Sequence, residues 1–145
     1  MNGYYQIGYV KIKNLFYNHY LMEKTLKLYT IFHDIGKAFC LQVDSDGKRH
    51  FPDHANVSYQ IFKQTFNNDI AADLIKHDMD IHLLKANGVD EFVKNPHAIT
   101  LLLTGLAEVH SNAEMFGGNS SVSFKIKHKS ITQRGKQILN QIKNK

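Results

Sequence analysis

An apolar run at helical spacing that ends in His33-Asp34-Ile35-Gly36-Lys37 constrains this chain more than any other feature. From Leu15, the residues Leu15, Met22, Leu26, Tyr29 and Phe32 recur close to the helical period, with His19 on the same face. The spacing predicts one helix, or two broken by a bend, over residues 15–33, with Asn14 able to cap it. Imidazole and carboxylate are both ligands for divalent metals. Neighbours on a straight helix point about 100° apart, so His33 and Asp34 can grip one ion only where the backbone turns. Gly36 offers such a turn, and Lys37 adds a point charge that suits a phosphate. The same residues also read as an ordinary helix terminus, with a polar cap, a glycine stop and a lysine against the dipole. Locally both readings stand.

The remainder of the chain is mostly helix by the same criterion. Residues 1–14 are rich in Tyr and Ile and read as a short strand or irregular lead-in. Residues 41–53 form a loop, with Asp46-Gly47 as a turn between short extended arms. Asp53 is placed to cap a helix from His54 to Phe66, with apolar positions Ala55, Tyr59, Phe62 and Phe66. After Asn67-Asn68-Asp69 a helix is predicted from Ile70 to Ala86, with the stripe Ile70, Leu74, Ile75, Met79 and Leu83. Asn87-Gly88 ends it, and a short helix follows over Asp90–Val93. Asn95-Pro96 opens a helix that runs to Phe116 on Ala98, Leu102, Leu106, Val109 and Ala113, and Gly117-Gly118 stops it. Val122 to Lys127 alternates like a strand, and Ile131–Ile142 reads as a basic helix. The expectation is a mainly α, compact single-domain fold of five or six helices with a short β-hairpin. Its core lies over residues 15–116, with a basic C-terminal extension over 117–145.

Composition excludes several classes. No apolar run approaches the roughly 20 residues of a membrane span, and the N-terminus has no basic head followed by an apolar block. The single cysteine, Cys40, forbids an internal disulfide, fits a reducing compartment and reads as a small core residue. A cytoplasmic location is expected. The net charge of +5 is concentrated at the C-terminus, where Lys125, Lys127, Lys129, Arg134, Lys136, Lys143 and Lys145 meet no acidic residue. Such a patch suits phosphates, and equally a solvated tail.

Nine histidines in 145 residues is the unusual count. They recur with acids at four places: His33-Asp34, His54 just after Asp53, the run His77-Asp78-Met79-Asp80-Ile81-His82, and Glu108-Val109-His110. On one continuous helix Asp73 and His77, like Asp78 and His82, would share a face, a spacing that serves a metal or a carboxylate–imidazole pair. Any one of these residues taken alone reads as a core histidine or a solvated face. The set points to a metal site.

In that ordered set the chain resembles the HD superfamily of metal-dependent phosphohydrolases. His33-Asp34-Ile35-Gly36-Lys37 is similar to the family signature, Phe51 to Ser58 resembles the loop and helix start that follow it, and Leu74-Ile75-Lys76-His77-Asp78 is similar to the next family helix. The resemblance covers roughly residues 26–116 and is nearest to the HD domains of bacterial tRNA nucleotidyltransferases. It implies that His33, Asp34, His54 and His77, with Asp78 and with His110 or Glu108, hold one or two divalent ions (Mn, Mg, Fe, Co, Ni or Zn). It also implies that Asp34 bridges two ions, that Lys37 stabilises phosphate charge, and that Asp78 or Asp80 takes a proton from the attacking water. The expected substrate is a phosphomonoester or phosphodiester, either a phosphorylated small molecule such as a nucleotide or the end of an RNA. No membrane partner is expected, and a homodimer stays open. Two positions depart from the family. Its first histidine falls where this chain has Tyr9, Val10 and Lys11, and its late aspartate falls at His110. His19 would stand roughly 21 Å from His33 on one helix at about 1.5 Å per residue, and is read as structural. These departures motivate a rival, a degenerate HD domain that binds nucleotide or nucleic acid without turnover; a third reading is a plain helical interaction module with incidental histidines.

Overall fold

The computed structural model describes residues 22–144. The lead-in over 1–14, the cap at Asn14 and His19 lie outside them. The described residues are mainly helical with one small hairpin, as the sequence predicts. The described residues divide into two compact units, one ending at Lys76 and the other beginning at His77.

In the first unit, helix α1 covers residues 22–32. The His33 amide still donates to Tyr29 O at 2.8 Å, and then the chain turns over residues 33–36. A single-turn helix, α2 (Lys37–Cys40), follows. Strands β1 (Gln42–Val43) and β2 (Arg49–His50) pair antiparallel, with Gln42 opposite His50 and Val43 opposite Arg49. Gly47 turns the hairpin with φ 78°, which its missing Cβ permits, and its amide reaches Asp44 O at 2.9 Å.

Helix α3 (His54–Thr65) buries His54, Ala55, Ser58 and Phe62 along one side. It starts differently from expectation. Asp53 adopts φ 55° and its side chain caps no helix amide; its Oδ2 instead accepts from Asn56 Nδ2 at 3.2 Å. Helix α4 (Asp69–Lys76) packs on α3 and is capped by Asn68, whose Oδ1 accepts from the Ala71 amide at 2.9 Å. The core holds Tyr29, Phe62, Ala71, Ala72, Leu74 and Ile75. Phe32, Phe62 and Phe66 form an aromatic cluster with centroids 4.6–5.8 Å apart.

The helix expected from Ile70 to Ala86 is not continuous. α4 stops at Lys76, a turn occupies 77–79, and α5 (Asp80–Leu83) begins anew. Asp78 and Asp80 fall in what would have been its interior, and aspartate favours helix starts over interiors. The assumed stripe fails at its ends, since Ile70 and Leu83 are exposed.

The second unit continues through a 3-10 turn (Ala86–Gly88), α6 (Val89–Phe92), α7 (Ala98–Ser111), a second 3-10 turn (Ala113–Phe116) and α8 (Val122–Lys143). Gly117 and Gly118 both take positive φ and stop the chain as expected, with the Gly118 amide on Ala113 O at 2.9 Å. The strand expected over Val122–Lys127 is the first part of α8. Ser121 Oγ accepts from the Phe124 amide at 3.1 Å, and the residues buried thereafter are Phe124, Ile131, Gly135 and Ile138 at helical spacing. Val122 and Ile126, which created the alternation, are exposed. α8 packs against α7 and α6. A Cβ at Gly105 would stand 2.6 Å from Ile81 and 3.0 Å from Ile131, so a glycine there lets α5, α7 and α8 meet. No helix among the described residues is long and apolar enough to cross a membrane.

Candidate metal centre

The turn after α1 places the signature. Ile35 N bonds Phe32 O at 3.2 Å and Lys37 N bonds Asp34 O at 3.0 Å, which swings residue 34 off the helix line. The local sequence offers Gly36 as a conformational hinge, yet its backbone is ordinary helical, φ −64° and ψ −23°. It is glycine for lack of space. A Cβ there would stand 2.4 Å from His54 O and 2.6 Å from the Ser58 amide nitrogen. The Gly36 amide donates to Ser58 Oγ at 2.8 Å in a buried position. The turn therefore seats directly on the first turns of α3, and Asp34 comes to face His54. Ser58, fully buried, is the supporting residue that sequence reasoning left without a role. Its only signal is its place four residues after His54, on the same helical face.

His54 begins α3 and its Nδ1 lies 2.9 Å from Phe51 O. A carbonyl can only accept, so Nδ1 carries the proton and, in the neutral ring, Nε2 presents a lone pair. That Nε2 lies 3.6 Å from Asp34 Oδ1. Both atoms are buried and neither has a hydrogen-bond partner among the described residues. Two acceptor atoms facing each other at this distance without a proton between them is an unfavourable arrangement. A cation resolves it, and a backbone carbonyl on the far ring nitrogen is the usual support of a ligating histidine. These residues fit a divalent metal. Asp34 uses its other oxygen on Lys37, with Nζ 2.7 Å from Oδ2. His33 lies beside it: Nε2 is 3.5 Å from Asp34 Oδ2, and Nδ1 is 3.0 Å from Thr30 O, the same tautomer logic as His54. Cys40 bonds Gly36 O through Sγ at 2.8 Å and braces the turn from its C-terminal side.

The candidates of the second unit are distributed differently. Asp78 lies in the turn before α5 with its residue only 2% exposed. His77 gives its Nδ1 to Asp80 Oδ2 at 2.7 Å. Because α5 starts after that turn, Asp78 and His82 do not share one helix face. His82 Nε2 instead meets Glu108 Oε2 at 2.9 Å, joining α5 to α7. His110 is exposed and its ring lies against Phe124 and His128 of α8, with centroids 5.5 and 5.1 Å away. The sequence reading did not single out His128.

The family model described as HD domain matches residues 10–112, most of the chain. No curated protein and no solved structure matches it.

Proposed function

The chain belongs to the HD domain family, whose members are mostly metal-dependent hydrolases, and on that premise we propose that it is a metal-dependent phosphohydrolase centred on Asp34 and His54. The observation that carries the reading is the facing pair of buried, partnerless atoms, Asp34 Oδ1 and His54 Nε2. Asp78, a buried aspartate of the second unit, is the third proposed ligand. His33, beside Asp34, is available to widen that set, and His77 is the neighbour of Asp78. Glu108 and His110 are engaged with His82, Phe124 and His128. When bound, a divalent ion supplies a Lewis acid that polarises a phosphoryl oxygen and acidifies water at that point.

The chain's own residues have distinct tasks. The Phe51 carbonyl fixes the His54 tautomer, and the Gly36–Ser58 bond holds the Asp34 turn against α3. Lys37, about one-third exposed and paired with Asp34 Oδ2, carries the ammonium proposed to turn toward a phosphate oxygen and lower the cost of charge there. Asp78 is the proposed acceptor of the proton that water loses. The proposed substrate is a phosphomonoester or phosphodiester, with a nucleotide or RNA end as the preferred class.

The test is phosphate release from p-nitrophenyl phosphate and its bis ester with each of Mn, Mg, Fe, Co, Ni and Zn. Turnover that needs a metal and disappears in Asp34→Asn and His54→Ala supports the assignment. An active Asp34→Asn enzyme defeats it. A second reading, metal or nucleotide binding without turnover, is favoured by the chain's departure at the late family aspartate. Stoichiometric metal with no turnover on any ester would select that reading.

A further inference from the structure

Helix α8 is cationic along its whole length and contains no carboxylate. Two of its cations are occupied within the second unit. Lys127 lies over the Phe116 ring at 5.0 Å, and Arg134 donates to Leu84 O at 3.2 Å and Gln137 Oε1 at 2.7 Å. Lys125, Lys129, Lys136 and Lys143 are different. All four are exposed, and none has an ion-pair partner among the described residues. Their intervals of four, seven and seven place them within a sector of roughly 40° at about 100° per residue, in a row about 27 Å long. The opposite side of the helix, Phe124, Ile131, Gly135 and Ile138, is buried.

We propose that this row docks the phosphodiester backbone of a nucleic acid, bound without reading its sequence. Four like charges in line repel one another, and an extended polyanion is the partner that relieves all four together. Lysine ammoniums meet phosphates as point charges and need no fixed approach, and no aromatic side chain lies on the row to stack a base. An anionic membrane is the poorer fit. A helix lying on a bilayer must insert its apolar face, and that face of α8 is already buried against α7 and α6. The surface involves none of the proposed metal ligands, so it stands or falls separately from the phosphohydrolase reading.

Fluorescence anisotropy with two labelled single-stranded RNAs of unrelated sequence tests it, as a titration in salt. Four lysine–phosphate contacts give a slope of about −3 in log K against log salt, or roughly a 50-fold loss of affinity between about 0.05 and 0.2 M. Both RNAs should bind alike. The variant with Lys125, Lys129, Lys136 and Lys143 all changed to Gln should keep the wild-type melting curve and lose most of the affinity and slope. The double variant Lys129→Gln/Lys136→Gln should lose about half the slope. A matched variant with Lys24, Lys48, Arg49 and Lys63 changed to Gln should bind as wild type. Equal losses in both quadruple variants, no binding by wild type at low salt, or binding to phosphatidylserine vesicles in place of RNA would each overturn the proposal.

Discussion

The amide of Gly36 donates to the hydroxyl of Ser58 at 2.8 Å, and a methyl group on Gly36 would press to 2.4 Å from the carbonyl of His54. This one relationship sets how closely the signature turn approaches α3, and with it the 3.6 Å separation of Asp34 Oδ1 from His54 Nε2. The obstructing atoms include two of backbone, which cannot swing away. Gly36→Ala should therefore cost about 3 kcal/mol, the upper end of ordinary overpacking. Ser58→Ala leaves the Gly36 N–H buried without its acceptor and should cost about 1–3 kcal/mol. Urea unfolding measures both. A Gly36→Ala protein as stable as wild type would show that the turn does not sit against α3 in solution.

Metal should raise the melting temperature. An ion that binds the folded chain alone stabilises it by about 2.7 kcal/mol at a hundredfold excess over Kd. The increment should appear with a divalent ion of the preferred kind and vanish in Asp34→Asn and His54→Ala. Scanning calorimetry with and without chelator measures it, independently of turnover. Equal increments in wild type and both variants would place the ion elsewhere.

Lys37 should separate activity from stability. Its ion pair with Asp34 is about one-third exposed on both sides, and such pairs contribute about 0–1 kcal/mol. Lys37→Met should shift the melting temperature little and lower kcat/KM for phosphate esters by at least tenfold. A collapse of stability with unchanged kcat/KM would make Lys37 a structural tether of Asp34.

Two buried glycines of the second unit should respond differently to alanine. Each gains about 1 kcal/mol of helix propensity. At Gly105 the new Cβ meets Ile81 at 2.6 Å and Ile131 at 3.0 Å, so overpacking of about 1–3 kcal/mol outweighs the gain. At Gly135 the nearest atoms are the ends of Leu102 at 3.2 and 3.3 Å, which can yield. Gly105→Ala should be destabilised and Gly135→Ala close to neutral in thermal unfolding.

The pair Lys63–Asp69, 2.6 Å apart, should make a pH-dependent contribution. The hydrogen bond and charge of Lys63 hold the Asp69 carboxyl below its ordinary pKa, and Asp69 raises that of Lys63 by the same two effects. For the acid, the stabilisation is present above its unfolded pKa and is lost as pH falls through the lower folded value. For the base, it is present below the unfolded pKa and is lost as pH rises through the higher folded value. The melting-temperature difference between wild type and Lys63→Gln should therefore be flat near neutrality and shrink in acid. Both side chains reach solvent, Lys63 at 38% and Asp69 at 82% exposure, so the difference should also shrink in salt.

Much of the helical plan was legible because its signals are local. The period of Tyr29 and Phe32, the stop at Gly117-Gly118 and the turn at Asp46-Gly47 each depend on a few adjacent residues. The misreadings have more than one cause. Val122, Phe124 and Ile126 alternate like a strand, yet only Phe124 is buried, and which apolar residues go inside depends on what packs against them. The break of the predicted helix at His77 has a local origin, the preference of Asp78 and Asp80 for a helix start, which apolar residues at suitable spacing masked.

By itself, then, the sequence determined a mainly helical chain of the HD domain family, because the period of apolar residues and the order of the signature residues are properties of the chain alone. Tertiary structure alone decided what the signature residues pack against and face. Gly36 is small so that α3 can approach, while its backbone is that of any helical residue. Glu108 meets His82, and His110 meets His128, across gaps in the chain that no spacing rule spans. The facing of Asp34 Oδ1 and His54 Nε2 has the same origin: hydrogen-bond donors and lone pairs have directions, and those directions exist only once the backbone has turned.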